Sequence, residues 1–254
     1  GILYLNFEDP RLMGLNFKQV REIIKLHWEL YPFSLDKKLH IFIDEPQNIE
    51  NWAVAIRALH DDGFDLFVSG SSSKLLSKEI STSLRGRTVS YVLLPFSFEE
   101  FLLAKDFVAD AERLGSKEKS AMLGMLNEYL EFGGFPEVSL EKDAENKLKI
   151  IEEYFNLVVY RDIVERFKIK NSRLIKWLIK LLLACFSKEF SVNKAYLTLK
   201  SAGEKLSKNT LYSYLSMLED SFFVFLVPKF SHSVRKGEFS INKCYLCDAG
   251  FTKL

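Results

Sequence analysis

Residues 40–52 read HIFIDEPQNIENW, and this stretch decides the fold that the sequence predicts. Its apolar residues run directly into two adjacent carboxylates, Asp44 and Glu45. A short apolar run of this kind is typical of a buried strand. In sheets of parallel strands, ligands bind outside the carboxyl ends of the strands. If the sheet is parallel, Asp44 and Glu45 therefore lie where this architecture binds its ligands.

Strands and helices alternate on both sides of this stretch. The apolar patterns predict strands at residues 2–7, 39–43, 64–69 and 89–94. They predict helices at residues 17–30, at residues 74–83, and from Trp52 to a C-terminal cap at Gly63. This alternating order predicts an α/β fold with a parallel sheet that is covered on both faces.

The pattern becomes mostly helical after Pro95. Ser97 and Glu100 have the spacing of a capping box, and Phe96 and Phe101 have the spacing of the hydrophobic staple across it. Helices are predicted at residues 98–105, 117–132, 142–167 and 171–186, with FGGFPEV as a loop between two of them. The sequence therefore predicts a helical region behind the sheet.

The last part of the chain has a third pattern. Two helices are predicted at residues 191–199 and 206–220, the second capped by Ser207, and two strands at residues 222–230 and 241–248. Helices followed by a β-hairpin in this order predict a winged helix. The expected domains are residues 1–105, 106–182 and 183–254, the last including the start of a further region.

The composition excludes several classes of protein. The chain has 254 residues, a net charge of +1 and three cysteines, which form no disulfide framework and fit a reducing cytosol. Cys244 and Cys247 form a lone CxxC without a second pair, so a zinc site is not expected. No apolar run reaches the ~20 residues that span a bilayer, and the start lacks a signal-peptide pattern. We expect a cytoplasmic protein without a membrane partner.

An apolar strand that ends in Asp-Glu is typical of nucleotide hydrolases. In them the aspartate holds the magnesium shell and the glutamate activates the attacking water. The alternative for Asp44 and Glu45 is an ordinary transition from a strand to a loop. The next strand ends in small polar residues that include Ser69 and Ser71, which suit a contact with a γ-phosphate or that water. Alternatively, Ser72 or Ser73 only caps the following helix.

Arg85 and Arg87 flank a glycine just before the fourth predicted strand. An arginine beside a transferring phosphoryl group stabilises its charge and accelerates the reaction by about 10³–10⁵. The alternative is that both arginines lie on the surface at a turn. Arg161 and Arg166 also have two interpretations: they reach a nucleotide or a neighbouring subunit, or they pair with Asp162 and Glu165 on a helix surface.

These motifs together resemble a prokaryotic group of AAA-type ATPases whose C-terminal half is a domain of unknown function. The resemblance is carried by ILYLNFEDPRL, IFIDEPQNIENW, VSGSSSKLLSKEISTSLRGRT and LLPFSFEEFL, and in the C-terminal half by GGFPEV, YRDIVER and KCYLCDAGF. It covers essentially the whole chain, and the serine-rich block with its LRGR is the most specific part.

The resemblance implies a P-loop-type ATPase that uses ATP and Mg²⁺. Asp44 and Glu45 would be the Walker B pair, with Asp44 serving the metal. Ser69 to Ser71 would hold the sensor position. Arg87 would be the first candidate for the arginine finger of a neighbouring site in a homo-oligomer, and Arg85 the second. The same likeness implies a winged helix near residues 183–248, with a nuclease-like region after it.

One family feature is missing from the sequence. No segment matches the phosphate-binding loop G-x-x-x-x-G-K-[ST], which in the family lies just upstream of the strand that begins here at Ile2. That loop supplies most backbone N–H donors to the phosphates. We therefore interpret the chain as an internal fragment with an incomplete ATPase core, and we expect these 254 residues alone to hydrolyse ATP negligibly.

The winged helix raises the question of a nucleic-acid partner. Its third helix commonly enters the DNA major groove, and here the outward residues would be Lys208, Asn209 and Tyr212, with Lys205 just before them. Residues 188–243 hold nine Lys or Arg against five Asp or Glu, a mildly basic balance. Alternatively, this unit binds protein or packs on its own core. The alternative for the whole chain is a non-catalytic DNA- or protein-binding module with a degenerate ATPase core.

Overall fold

The computed structural model describes residues 1–12, 14–31, 38–70, 82, 84, 87–107, 115–169, 171–232 and 241–254. It divides the chain into two compact units, Gly1–Val92 and Leu93–Leu254.

The first unit is built around a parallel sheet. Its elements are β1 (Ile2–Asn6), α1 (Phe17–Leu30), β2 (His40–Asp44), α2 (Trp52–Asp61) and β3 (Asp65–Ser69). The three strands lie in the order β1-β2-β3 and all pairs are parallel, which confirms the predicted α/β pattern in this region. The helix α1 begins at the N-cap Asn16, whose side chain and that of Gln19 form a capping box.

One face of this sheet forms the hydrophobic core of the unit. Because side chains alternate along a strand, Leu5, Ile41 and Ile43 share a face, and all three are at most 4% exposed. They cluster with the apolar stripes of α1 and α2, represented by Ile24 and Leu59. Both helices therefore cover the same face of the sheet.

The opposite face of the sheet is exposed among the described residues. Ile2, Tyr4 and Phe67 are 70%, 61% and 51% exposed, and Phe42 stacks on Phe67 with 4.6 Å between ring centroids. The sequence predicted a sheet covered on both faces, whereas the described residues cover one. Parallel strands are usually buried on both sides, so an open apolar face is a place where another element or a ligand can bind.

The predicted fourth strand at residues 89–94 is wrong. Residues 87–94 form no strand, and Val89, Tyr91 and Leu93 are 77%, 83% and 96% exposed. The β-branched and aromatic residues of the predicted strand, Val89, Tyr91 and Val92, carry a strand preference, but a strand forms only where a neighbour pairs with its backbone. No strand among the described residues provides that neighbour. The predicted helix at residues 74–83 falls almost entirely outside the described residues.

The second unit begins with the predicted helices. They are α3 (Phe98–Ala104), α4 (Ser116–Phe132), α5 (Pro136–Leu140), α6 (Ala144–Leu157), which continues as a π-helix (Val158–Glu165), and α7 (Ser172–Ala184). The capping box at the start of α3 is confirmed, since the Glu100 N–H donates to Ser97 Oγ at 3.3 Å and the Ser97 N–H to Glu100 Oε2 at 2.8 Å. The predicted loop FGGFPEV is shorter than expected because Pro136 already begins a helix.

The unit ends in a small antiparallel sheet. Its elements are β4 (Glu189–Phe190), α8 (Val192–Ser201), α9 (Lys208–Asp220), β5 (Val224–Val227), β6 (Asn242–Leu246) and a 3₁₀-helix (Ala249–Lys253). The strands lie in the order β4-β6-β5. The two predicted helices and the hairpin are confirmed, but β5 ends before Pro228, which cannot donate a ladder hydrogen bond.

The three cysteines are free thiols. Cys244 lies on β6 and Cys247 just after it, and burial raises the pKa of each thiol to about 12. Both thiols are therefore protonated; Cys244 is part of the hydrophobic core of the unit, and the partly buried Cys247 packs against that core. No helix among the described residues is both long and apolar enough to cross a membrane.

Candidate active site

The carboxyl ends of the three parallel strands meet at one edge of the sheet. Asn6, Asp44 and Ser69 are aligned partners in the strand register. The ladder continues one residue further, because the Phe7 N–H donates to the Asp44 carbonyl at 3.1 Å and the Glu45 N–H to the Ser69 carbonyl at 2.9 Å. The strand tips are therefore held by backbone hydrogen bonds rather than left as loose loop ends.

Asp44 lies between two hydroxyl groups from the neighbouring strands. Ser69 donates from Oγ to Asp44 Oδ1 at 2.6 Å, and Tyr4 donates from its phenol to Asp44 Oδ2 at 3.3 Å. Desolvation, the charge of Asp44 and this hydrogen bond together raise the pKa of Tyr4. The carboxylate is thus oriented through both oxygens, on the face of the sheet that the described residues leave open.

Glu45 lies in a different environment from its neighbour. Its side chain and backbone are buried, with 8% of the residue exposed, and its backbone is left-handed, with φ of 50° and ψ of 48°. A short 3₁₀-helix at Pro46–Asn48 follows, and from it the side-chain amide of Gln47 donates to Glu45 Oε2. A buried carboxylate beside an oriented, more exposed one is an arrangement that can divide proton transfer and cation binding between two groups.

The structure brings together some of the predicted site residues. Asp44 and Ser69 are hydrogen bonded and Glu45 is adjacent to both, as the parallel order predicts. Arg87 is exposed, and its backbone N–H donates to the Leu84 carbonyl at 3.1 Å. Ser71 and Arg85 lie outside the described residues.

Two residues at this edge were missed by the sequence reasoning. Tyr4 lies two positions before the end of β1, so strand alternation places it on the same face as Asn6 and therefore as Asp44. That signal was present in the sequence. Gln47 carried no comparable signal, because its contact with Glu45 depends on the left-handed turn between them.

The predicted nucleic-acid residues lie on the surface of the second unit. Lys205, Lys208, Asn209 and Tyr212 are all exposed, while Leu211, Leu215 and Leu218 of α9 are buried. The Lys208 ammonium lies 5.5 Å from the centre of the Tyr196 ring. On the π-helix, Arg161 Nε donates to Asp162 Oδ1 at 3.2 Å, which is the ion pair considered as the alternative for this arginine.

A buried carboxylate joins two motifs of the second unit that are far apart in sequence. Asp248, in the closing KCYLCDAGF, is 4% exposed and accepts hydrogen bonds from the Gly134 N–H at 2.7 Å and the Gly250 N–H at 2.8 Å. Burial raises the pKa of Asp248, and hydrogen bonds from backbone N–H groups oppose that rise. The Gly134 carbonyl in turn accepts from the Phe96 N–H at 2.7 Å. The carboxylate thereby connects three segments of the unit.

The glycines of this cluster leave no space for a side chain. A Cβ on Gly133 would lie 1.6 Å from Asp248 Oδ1, and one on Gly134 would lie 2.3 Å from the Phe96 carbonyl oxygen. Gly133 also has φ of 82°. Both positions therefore require glycine, one for its backbone conformation and its neighbour for close approach.

Comparisons with known proteins match both units. Residues 1–102 match the family model of an AAA domain, and residues 124–253 match the model of a domain of unknown function, DUF8612. An uncharacterized protein of Methanocaldococcus jannaschii is 40% identical over 246 residues, which are 97% of this chain and 54% of the relative. One of Haemophilus influenzae is 32% identical over 256 residues, which are 100% of this chain and 60% of the relative.

The chain spans little more than half the length of these two relatives. The second family model by itself covers slightly more than half of the chain. An AAA-type, ATPase-like domain precedes that match. The chain therefore belongs to the family defined by the domain of unknown function DUF8612, joined here to an N-terminal AAA domain.

Proposed function

We propose that the protein binds and hydrolyses ATP at the carboxyl ends of β1, β2 and β3, and couples the nucleotide state to a winged-helix module in its second unit. The observation that carries this proposal is the position of Asp44, oriented by Tyr4 and Ser69 at the strand tips with the buried Glu45 directly after it. The match of this unit to an AAA domain supports the same assignment.

Asp44 is the group we assign to Mg²⁺. Its carboxylate and the Ser69 hydroxyl are oxygen donors, the type that Mg²⁺ prefers. The described residues contain no group of three or more His, Cys, Asp or Glu that could hold a metal by themselves. Mg²⁺ is usually held by one or two carboxylates together with substrate phosphates. When bound, Mg²⁺ neutralises charge that develops on the transferred phosphoryl group.

Glu45 is the group we assign to the attacking water. Its burial protects the carboxylate from bulk water and fixes its position, as general-base catalysis requires. Ser69, with Ser71 after it, would sense the γ-phosphate. Arg87, as the first candidate, or Arg85, as the second, would stabilise the transition state in a neighbouring subunit.

The proposal requires a phosphate-binding loop, which residues 1–254 do not contain. The apolar face of the sheet that the described part of the chain leaves exposed, on which Asp44 lies, offers a place for an additional segment that carries such a loop. We therefore expect ATP turnover from the longest natural form of the protein. Residues 1–254 alone should turn over ATP negligibly, because they lack most donors to the phosphates.

The test is Glu45→Gln in the longest natural form. The variant should still bind ATP, while kcat falls by about 10²–10⁴ because the general base is lost. Glu50→Gln makes the same change at an exposed position of the same unit and should leave kcat unchanged. Failure of the wild-type protein to bind ATP would refute the proposal and favour a DNA- or protein-binding module with a degenerate ATPase core.

Action of Arg87 across a subunit boundary can be tested by mixing variants. Arg87→Ala should lower kcat by about 10³–10⁵ if the guanidinium stabilises the transition state. In a homo-oligomer, a Glu45→Gln subunit would supply its arginine to an Arg87→Ala neighbour that still has Glu45. Mixing the two inactive variants should therefore restore part of the rate. A mixture as inactive as its components argues against an arginine finger in trans.

The order of elements in the second unit supports the winged-helix proposal. Helices α7, α8 and α9 are followed by the β5–β6 hairpin, and β4 pairs with β6. We propose that α9 contacts duplex DNA through Lys208, Asn209 and Tyr212, with Lys205 contacting a phosphate. Binding measured by fluorescence anisotropy should weaken with salt, and removing one lysine should reduce the slope of log K against log salt by about one.

A control lysine is available outside this face. Lys149→Ala removes an exposed lysine that pairs with Glu145 on α6. It should leave the salt dependence of DNA binding unchanged. If Lys205→Ala and Lys208→Ala behave like this control, α9 is not a DNA-contacting helix.

A further inference from the structure

The turn that follows β2 is unusual for its residue type. Glu45 has a left-handed backbone, which residues other than glycine adopt rarely. The turn is closed by the Asn48 N–H, which donates to the Glu45 carbonyl at 3.2 Å, and by the Ile49 N–H, which donates to the Pro46 carbonyl at 2.9 Å. Backbone strain of this kind is retained where the surrounding structure enforces it, and often at functional sites.

One consequence of this turn is the contact between Gln47 and Glu45. The Gln47 side chain is partly buried, and its Nε2 donates to Glu45 Oε2. A hydrogen bond of this type restrains the rotation of the carboxylate. The left-handed conformation of Glu45 therefore turns the chain so that the side-chain amide of Gln47 reaches the Glu45 carboxylate.

The other end of the Gln47 amide is unsatisfied. Its Oε1 is buried and receives no hydrogen bond from the part of the chain that the structure describes. Burying a polar atom without a partner is unfavourable, so such an atom in a folded protein calls for a donor. Since Nε2 is committed to Glu45, the flipped amide would place an oxygen against a carboxylate and is not an alternative.

We infer that Gln47 is a positioning residue for Glu45, and that its amide oxygen accepts a hydrogen bond from the water that Glu45 activates. This inference rests on the proposed ATP hydrolysis. The water would donate one hydrogen to the Glu45 carboxylate and the other to Gln47 Oε1. These two acceptors, joined by the hydrogen bond between Gln47 Nε2 and Glu45 Oε2, define where the water oxygen lies and where its lone pair points.

Hydrolysis of ATP at this site needs no reagent other than water. The water oxygen forms a bond to the γ-phosphorus as the bond from that phosphorus to the bridging oxygen breaks, and ADP leaves with the electron pair. The proton of the attacking water passes to the Glu45 carboxylate. Gln47 stays neutral throughout, because an amide oxygen accepts a hydrogen bond but does not take the proton.

The kinetic test is Gln47→Met in the longest natural form of the protein, a change that keeps length but removes both amide atoms. We expect kcat to fall by about 10–100-fold, as for other residues that orient a reacting group, while KM for ATP changes less than about threefold. Gln19→Met removes the other glutamine of the chain, which accepts from the Asn16 N–H at 2.9 Å in the capping box of α1. This control should lower stability without changing kcat.

A second measurement separates positioning from simple structural support. In the Glu45→Gln background, Gln47→Met should lower kcat by a smaller factor than in the wild type, because the carboxylate that it orients is already gone and only the contact with the water remains to be lost. A structural role would lower the rate by the same factor in both backgrounds. An equal factor in both backgrounds, or an effect of Gln47→Met on kcat no larger than that of Gln19→Met, overturns the inference.

Urea unfolding distinguishes this inference from the proposed function. The midpoint shifts of Glu45→Gln and Gln47→Met should be coupled, so that the double variant shifts less than the two single variants together. Coupled midpoints in a protein that shows no ATP turnover would retain the pairing and refute the ATPase proposal. Additive midpoints in a protein that does hydrolyse ATP would overturn the pairing and leave the ATPase proposal intact.

Discussion

Replacement of Asp248 by alanine tests how the second unit is held together. The carboxylate is 4% exposed and accepts from the backbone N–H groups of Gly134 and Gly250 at 2.7 and 2.8 Å. Its removal leaves two buried N–H donors without an acceptor, and each unsatisfied donor lowers the free energy of unfolding by about 1–3 kcal/mol. Part of this loss is offset, because a buried carboxylate no longer has to be desolvated. We expect the free energy of unfolding to fall by about 2–4 kcal/mol, a large share of the stability of a domain.

Asp143→Ala is the matched control for this prediction. Asp143 also accepts a backbone hydrogen bond, from the Asn146 N–H at 2.9 Å, but it is an exposed N-cap of α6. Its loss should cost about 1 kcal/mol. Both variants are compared by urea unfolding at pH 7, with hydrogen exchange of peptides from residues 171–232 reporting on the second unit by itself. A loss for Asp248→Ala no greater than for Asp143→Ala would refute the assigned role.

The pH dependence gives an independent test of the same carboxylate. The pKa of Asp248 is raised from its ordinary value of 3.8, mainly by burial, so the folded state binds its proton more tightly than the unfolded state does. The free energy of unfolding therefore decreases through this group as pH rises from 3.8 through the folded pKa. Asp248→Asn cannot ionise and should lack that decrease. The same pH slope in wild type and Asp248→Asn would contradict the raised pKa.

Four further substitutions test other parts of the second unit. Gly133→Ala should lower the free energy of unfolding by at least about 1–3 kcal/mol, because φ of 82° is strained for alanine and the added methyl group meets the Asp248 carboxylate. As its control, Gly124→Ala on α4 meets no atom within 4 Å and should stabilise the unit by about 0.5–1 kcal/mol. Lys147→Met removes a buried ion-pair partner and should cost about 1.5–3 kcal/mol by urea unfolding; an unchanged midpoint would show that the pair is neutral. Ser207→Ala removes the N-cap of α9 and should lower stability by about 1 kcal/mol in a thermal melt, unless the helix is capped by water as effectively.

Much of the candidate site could be predicted from the sequence because a parallel sheet gathers the ends of its strands. Once the strands at Asp44 and Ser69 are recognised and paired in parallel, the two side chains must meet at one edge. The same local patterns predicted the caps at Ser97 and Ser207, since a cap depends on residues within one helical turn. The fourth strand was wrong because a strand, unlike a helix, needs a partner from elsewhere in the chain.

The sequence by itself determined the alternation of strands and helices, the parallel order of the first unit and the place of its paired acids, because these follow from short-range periodicity and chain connectivity. Only the tertiary structure decided which acceptor satisfies the Gly134 N–H, since Asp248 lies 114 residues away. It also decided that Gln47 turns back onto Glu45 and that the described residues leave one face of the sheet open. These features depend on dihedral angles and distant contacts, which residue periodicity does not encode.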